Sequence, residues 1–174
     1  MSQAIDRGLA YLTATQGGDG SWLPLWFGNQ SVPDHVNPVY GTSRVLAAYR
    51  DLDQCESGPA GRGVTMLLSA QNADGGWGGA QGIASSVEET AVAVDALTGW
   101  AARRDAAEAI RRGAALLADW IQAGAIDRPS PIGLYFTKLW YSERLYPILW
   151  SLEALGRVLG VIEGDSRETD SPGR

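Results

Sequence analysis

The phrase RGLAYLTATQGGDGSW at residues 7–22 returns at residues 62–77 as RGVTMLLSAQNADGGW. Arg7, Gly8, Leu12, Gln16, Asp19, Gly20 and Trp22 reappear as Arg62, Gly63, Leu67, Gln71, Asp74, Gly75 and Trp77. A third, worn copy starts at Arg112-Gly113 and runs through Leu117 to Gln122, without the Asp-Gly turn or the tryptophan. A repeat of about 55 residues marks a stack of similar supersecondary units, each needing its neighbour to bury an apolar face.

Apolar spacing predicts six helices. The first carries Ile5, Leu9 and Leu12 on one face. The second runs from Tyr40 to Leu52 with Val45, Tyr49 and Leu52 aligned, and the third covers Ala60 to Ala70 with Val64, Leu67 and Leu68. The fourth starts near Ser86, a candidate N-cap, with Glu88 and Glu89 in its first turn, where the helix dipole favours negative charge; Ala91, Val94 and Leu97 follow. The fifth spans Asp105 to Gln122 with Ile110, Ala114, Leu117 and Ile121 in a stripe. The sixth spans Ser142 to Leu159 with Leu145, Leu149, Leu152 and Leu155. Long links at 17–39, 72–85 and 123–141 alternate with short ones. The result is three helical hairpins with their long loops on one side and no strand signal, an all-α fold. Residues 1–162 form the repeat domain; 163–174, polar and containing Pro and Gly, read as a disordered tail.

Net charge is −6, which argues against nucleic acid as a partner and against bulk attraction to anionic lipid. One cysteine, Cys55, and one histidine, His35, cannot build an intrachain disulfide or a thiolate–imidazole metal cluster. Neither a metal nor a cofactor is expected. The N-terminus shows no signal-peptide pattern, and no uncharged apolar run reaches the roughly 18 residues of a membrane span. A cytoplasmic setting is expected. Seven tryptophans are many for 174 residues and must serve as core or as walls of an apolar cavity.

The pattern Arg-Gly-x-x-x-Leu-x-x-x-Gln-x-x-Asp-Gly-x-Trp resembles the glutamine–tryptophan repeat of class II triterpene cyclases, the squalene–hopene and oxidosqualene cyclases. Trp22, Trp26 and Asn37-x-x-Tyr40-Gly41-Thr42 follow the order of a segment of that family. Glu89-Thr90-Ala91 stands where it often has Gln-Thr-Ala, and Tyr146-Pro147 with Ala154-Leu155-Gly156-Arg157 resembles its C-terminal signature. The resemblance covers residues 3–160 and matches about the last quarter of such an enzyme. It implies an incomplete α/α barrel, or toroid, of three hairpins, with no capping element before Arg7, as if cut from a larger array. Gln16, Trp22, Gln71 and Trp77 read as structural. The glutamines end helices and satisfy orphan backbone groups, Asp-Gly makes a tight turn, and the tryptophans fold back to stack on the glutamines.

The implied reaction is proton-initiated cyclisation of squalene or another polyprene in hopanoid-type triterpenoid biosynthesis. It needs an Asp-x-Asp-Asp acid, in which clustered charges keep one carboxyl protonated. The nearest string here, Asp51-Leu52-Asp53-Gln54, lacks the acidic pair and reads as solvated helix-end residues. No residue is therefore assigned as catalytic, and the chain alone is expected to be inactive. The reaction also needs aromatic faces around the carbocation. Trp26 and Tyr40 match cavity-wall positions, with Phe27 beside them; Glu89 facing the barrel interior and Trp140 complete the substrate-binding candidates. Among Tyr135, Phe136, Trp140, Tyr141 and Tyr146, the family's two tyrosine positions before Pro147 hold Leu139 and Ser142. That departure leaves product outcome open.

His35 reads as an exposed loop residue and Cys55 as an inert thiol. Three hairpins cannot close a ring of six, so Val45, Tyr49, Val94 and Leu97 are expected to lack partners on one side. Expected partners are the missing N-terminal half or a second copy, with peripheral membrane contact. The alternative is a non-catalytic toroid that binds an isoprenoid or a protein. A protein prenyltransferase β-subunit shares the barrel but needs an Asp/Cys/His zinc site.

Overall fold

The computed structural model describes residues 3–128, 130, 133–134 and 140–169. Six α-helices occur among them: α1 (Gln3–Thr15), α2 (Pro38–Asp51), α3 (Gly58–Ala70), α4 (Val87–Leu97), α5 (Arg104–Gln122) and α6 (Leu145–Thr169). Two short strands, β1 (Gly133–Leu134) and β2 (Trp140–Tyr141), pair antiparallel in the link between α5 and α6. The six helices and the long links stand where apolar spacing placed them, except that α6 starts at Leu145 and runs past Leu159. The ribbon is an addition, too short to leave a period-two signature.

Helix starts follow from side-chain chemistry. Asn37 Oδ1 accepts the Tyr40 N–H at 3.0 Å, and Ser86 Oγ accepts the Glu89 N–H at 3.1 Å. Each satisfies a backbone donor that the first helical turn leaves unpaired. Pro38 and Pro59 occupy first-turn positions of α2 and α3, where a missing N–H costs nothing.

Helices α2, α4 and α6 form an inner layer running in parallel, and α1, α3 and α5 lie outside it. Helix α4 sits at the centre, packed against α2, α5 and α6. All eleven of its residues are buried. Its sequence, VEETAVAVDAL, is mostly small and apolar, which lets three helices approach it closely. At its C-terminal end Asp95 joins the layer: Arg157 Nε of α6 lies 2.6 Å from one oxygen and Arg50 of α2 lies 3.4 Å from the other. Burial pushes the Asp95 carboxyl up and both arginines pull it back. A buried charge is tolerated only when paired in this way.

The repeat phrase is the joint between successive units. Gln16 Nε2 donates to Gly20 O and Pro59 O, each at 2.9 Å, while the Arg62 guanidinium donates to Gln16 Oε1. One unit later Gln71 Nε2 donates to Gly75 O and Ala109 O at 2.9 Å, and Arg112 donates to Gln71 Oε1 at 3.2 Å. The glutamine of each unit thus docks on the outer helix of the next, whose arginine closes on it. The tryptophans fold back as expected, but through hydrogen bonds. Trp22 Nε1 donates to Leu12 O at 2.7 Å and Trp77 Nε1 to Leu67 O at 2.8 Å. Their backbone N–H groups are held at 3.0 Å by Thr42 and Thr90 of the inner helices.

The glycines of the phrase are explained by this joint. Gly20 and Gly75 have φ of 87° and 95°, a region that side chains disfavour. A Cβ on Gly63 would lie 2.8 Å from the Trp22 ring, and one on Gly113 would lie 2.8 Å from the Trp77 ring. The tryptophan edge of one unit therefore seats on the glycine of the next.

Three expectations are corrected. Tyr49, Val94 and Leu97 are fully buried and Val45 is half-buried: α5 and α6 cover α4, while α2 packs on α4 and α3 with the Trp22 ring 6.0 Å from Tyr49. Exposed apolar surface lies instead at the two edges of the arc. Tyr11, Leu23, Leu25 and Trp26 mark one edge; Leu145, Leu149, Leu152 and Leu159 of α6 mark the other. Helix α6 is apolar almost all round, and the small Ser151 and Ala154 face α4 because they permit close approach, leaving the leucine stripe outside. By length and composition, Leu145–Glu163 is also long and apolar enough to cross a membrane. Finally, α6 continues to Thr169, so part of the stretch read as tail is helical, consistent with good helix formers at Glu163, Arg167 and Glu168.

Trp22→Ala and Trp77→Ala should each cost about 3–5 kcal/mol, since both rings are buried and each also loses its bond to a helix-end carbonyl. Trp26→Ala, at 54% exposure, should cost about 1 kcal/mol or less. Urea midpoints of the three variants decide the ranking, and a larger loss at Trp26 would place that ring in the core.

Candidate functional site

The N-terminal ends of α2, α4 and α6 converge, bringing aromatic rings and two carboxyls to one end of the inner layer. Tyr40, in the first turn of α2, stacks on Phe27 with centroids 4.8 Å apart. On its other side lies Trp150 of α6 at 5.8 Å, and Trp150 stacks on Tyr146 at 4.8 Å. Four rings from the first long link, α2 and α6 thus form one row. Burial raises the Tyr40 phenol above its ordinary value, partly opposed by Arg44, so the ring stays neutral. A cleft of about 390 Å³ between α1 and α2 includes Tyr40, with Tyr11, Leu12, Leu23, Pro24, Val45 and the charged Arg44 along its wall.

Behind the row lies the acidic pair. Glu89 is fully buried; its Oε1 accepts from Asn29 Nδ2 at 2.8 Å and Asn37 Nδ2 at 3.0 Å. Its Oε2 accepts from the Ser86 hydroxyl and lies 3.4 Å from Ser130 Oγ. Glu88, equally buried, accepts the Ser130 N–H at 2.8 Å and its hydroxyl at 3.0 Å. Burial raises the Glu88 carboxyl to about 7 against the pull of Ser130, and raises Glu89 against the pull of Asn29 and Asn37. Ser86 and Ser130 line a cleft of about 300 Å³ with Trp120 and Arg128, so each carboxyl is one hydroxyl away from solvent.

The residues singled out from sequence are partly brought together. Tyr40 and Phe27 belong to the row. Trp26, next to Phe27, is more than half exposed. Trp140 stands on β2, edge-on to His35 at 5.2 Å, so His35 is half-buried rather than an exposed loop residue. Glu89 has no exposed surface. Its Oε1 accepts from Asn37, which caps the helix that carries Tyr40. The N-cap reading of Ser86 and the first-turn glutamates is correct, and both carboxyls are buried. Of the C-terminal aromatic run, Tyr146 joins the row; Tyr135, Phe136 and Leu139 lie outside the described residues. Asp51 and Asp53 are exposed at the end of α2. Cys55 is half-buried with its thiol pushed up by burial, which disfavours the reactive thiolate. Among the described residues no group of three or more His, Cys, Asp or Glu could hold a metal ion.

Trp150, Asn29, Ser130 and the Asp95–Arg157 pair were missed from sequence. Trp150 alone carried a local signal, since it follows Tyr146 by one helical turn and must share its face. The others reach their partners across long loops.

An inner and an outer layer of helices, joined by glutamine–tryptophan turns around an aromatic end, define an arc of the α/α barrel used by terpene cyclases. The profile of the squalene-hopene cyclase C-terminal domain matches residues 1–159, and the chain belongs to that family. An ent-copalyl diphosphate synthase of Streptomyces sp. (strain KO-3988) is 32% identical over 166 residues, covering 94% of this chain and 28% of that protein. A probable squalene–hopene cyclase of Sinorhizobium fredii is 38% identical over 78 residues, covering 44% of this chain and 11% of its own length. The solved ent-copalyl diphosphate synthase from Streptomyces platensis superposes with a TM-score of 0.59 at 22% identity, over 88% of this chain and 29% of that one. The chain therefore spans less than a third of the length of the curated relatives it matches.

Glu88 sets a pH dependence whose sign follows from linkage. Its folded value of about 7 lies above the ordinary 4.5, so the folded chain holds this proton more tightly than the unfolded one. The resulting stability is full below pH 4.5 and is lost as pH rises through 7. Relative to Glu88→Gln, the wild type should lose on the order of 3 kcal/mol across that window. Urea unfolding of both proteins at pH 5, 6, 7 and 8 reads it directly, and parallel curves would show that the carboxyl titrates normally.

Proposed function

We propose that this chain supplies part of the wall of a chamber in which a linear polyprene is cyclised through carbocations, as in class II terpene cyclases. The observation that carries this reading is the row Phe27–Tyr40–Trp150–Tyr146, of which Tyr40 also lines a cleft. Ring faces attract cations through their quadrupole, by roughly 0.5–2 kcal/mol each, and do not capture them. A neutral Tyr40 suits this task, because a phenolate would be alkylated. Glu88 and Glu89 are shielded by asparagine and serine donors, so no free carboxylate faces the cation, and Glu89 positions Tyr40 through Asn37.

The acid that starts the reaction is not encoded among these residues, which contain no Asp-x-Asp-Asp string. In this reading it is supplied by polypeptide outside residues 1–174, and the chain alone is inactive. A relative matched over most of this chain is a copalyl diphosphate synthase, which favours a prenyl diphosphate over squalene as the substrate. Hopanoid-type chemistry is the second choice, supported by the shorter squalene–hopene cyclase matches. The leucine stripe of α6 would be covered by the rest of a barrel or rest against a membrane surface. A non-catalytic isoprenoid-binding role is the competing class, favoured by the absent acid and by Leu139 and Ser142.

An ammonium analogue of a prenyl chain should bind several-fold more tightly than its uncharged isostere, measured by calorimetry. Tyr40→Leu and Trp150→Leu should abolish that preference while leaving the uncharged analogue's affinity within about threefold, as expected if the cation–π term is what they remove. Equal binding of the two analogues by the wild type would remove the carbocation role and leave only isoprenoid binding. Turnover of squalene or a prenyl diphosphate by the chain alone, detected by mass spectrometry, would overturn the assignment of the acid to another segment.

A further inference from the structure

Two buried carboxyls at the N-terminal end of α4 face one hydroxyl. Ser130 Oγ lies 3.0 Å from Glu88 Oε2 and 3.4 Å from Glu89 Oε2, and Ser86 Oγ is bonded to that same Glu89 oxygen. These three oxygen–oxygen bonds run in one chain, Glu88–Ser130–Glu89–Ser86. Each needs a hydrogen, and a serine hydroxyl has only one to give. The other carboxyl oxygens are occupied as acceptors. Glu88 Oε1 takes the Ser130 N–H at 2.8 Å, and Glu89 Oε1 takes Asn29 Nδ2 at 2.8 Å and Asn37 Nδ2 at 3.0 Å. With both carboxyls ionised the chain is one hydrogen short, and lone pairs meet in a buried site. With both protonated it has one too many, and an O–H is left without an acceptor. A single proton completes it in either of two ways: on Glu88 with Ser130 donating to Glu89, or on Glu89 with Ser130 donating to Glu88.

We propose that Glu88 and Glu89 form a site for one proton, shared through the Ser130 hydroxyl, and that losing this proton as pH rises loosens the hold of α4 on Ser130. The charges around the pair leave the proton as its counterpart. Helix α2 meets it with the neutral Asn37, while Arg44 acts on Tyr40. Arg50 of α2 and Arg157 of α6 are engaged by Asp95 at the far end of α4. Helix α5 faces the adjoining cleft with Trp120, and Arg128 lines the same cleft beside Ser130. Asp127 pairs with Arg144 at 3.6 Å, and His35 stands against Trp140. Among the described residues no arginine bridges either glutamate. Burial raises both carboxyls, Glu88 to about 7, and Glu89 adds to the rise at Glu88. Acids this close titrate as a pair. The pair holds its proton more tightly with Ser130 seated than when water from the cleft has parted them. Seating is therefore firmest below pH 4.5 and weakens as pH climbs to about 7. The inference is carried by hydrogen-bond geometry and does not depend on the cyclase reading.

Carboxyl-carbon NMR of the full chain, titrated from pH 6 to pH 9, counts the proton residue by residue. In the wild type the Glu88 and Glu89 signals should move with one common midpoint, their two amplitudes summing to a single proton. Glu88→Gln and Glu89→Gln each put an amide N–H where the shared hydrogen lies, so the glutamate that remains should stay ionised throughout. Amplitudes summing to two protons, separate midpoints, or a remaining glutamate that keeps the wild-type midpoint would each overturn the sharing. The wild-type count needs no variant, so it decides the matter even where a variant folds poorly. Hydrogen exchange of the Ser130 amide reads the fastening. Corrected for the intrinsic rate, its protection should fall by about tenfold per unit between pH 5 and pH 7 in the wild type. It should stay flat in both glutamine variants, whose side chains keep the bond at every pH. Wild-type protection indifferent to pH would overturn the link between the proton and Ser130.

Discussion

Everything in this arc depends on how one unit is fastened to the next. A helical hairpin alone has no closed core, so its stability is that of its contact with a neighbour. Here the contact is directional. The glutamine reaches forward to backbone carbonyls, the next arginine reaches back to its amide oxygen, and the tryptophan fills the space that a missing Cβ leaves open. Charge-assisted bonds of this kind are stronger than neutral ones, and the ring adds a large apolar area that only glycine admits. Each element is useless without the other, which is why they recur together.

The joint sets the outer helices in register, and that register positions the inner layer. Thr42 and Thr90 each take the backbone N–H of a repeat tryptophan, so the inner helices are indexed to the same turns. Helix α4 then lies buried along its whole length with polar groups at both ends. Asp95 ties its C-terminal end to α2 and α6 through Arg50 and Arg157. Glu88 and Glu89 anchor its N-terminal end to two long links through Asn29, Asn37 and Ser130. Between these clamps the helix has little freedom to slide. The ring row built across α2 and α6 inherits that rigidity, as the role proposed for it requires.

The polar clamps also explain why acids lie so near an aromatic wall without opposing its proposed role. Each carboxyl oxygen is engaged by an amide, hydroxyl or backbone donor, so negative charge is present as a field and absent as an exposed nucleophile. Burial lifts Glu88 and Glu89 towards their neutral forms, and the serines bonded to them line a cleft.

Much of this was legible in the sequence because it is local or periodic. The repeated phrase, the 3.6-residue spacing, the caps at Asn37 and Ser86 and the Asp-Gly turns each depend on residues within a few positions of one another, so they fixed six helices, three hairpins and the family. The place of Tyr40 at the start of α2 was legible from the Asn37 cap. Tertiary structure alone decided what depends on distance in space. It made Glu88 and Glu89 buried partners of Asn29, Asn37 and Ser130, and joined Asp95 to Arg157. It turned the small face of α6 inward and its leucines outward, and left Gly8 open while Gly63 and Gly113 are filled. A helix that is apolar all round has no pattern to say which face its neighbour takes. A glycine reads the same in sequence whether or not a ring is pressed against it, because the ring comes from another unit of the repeat.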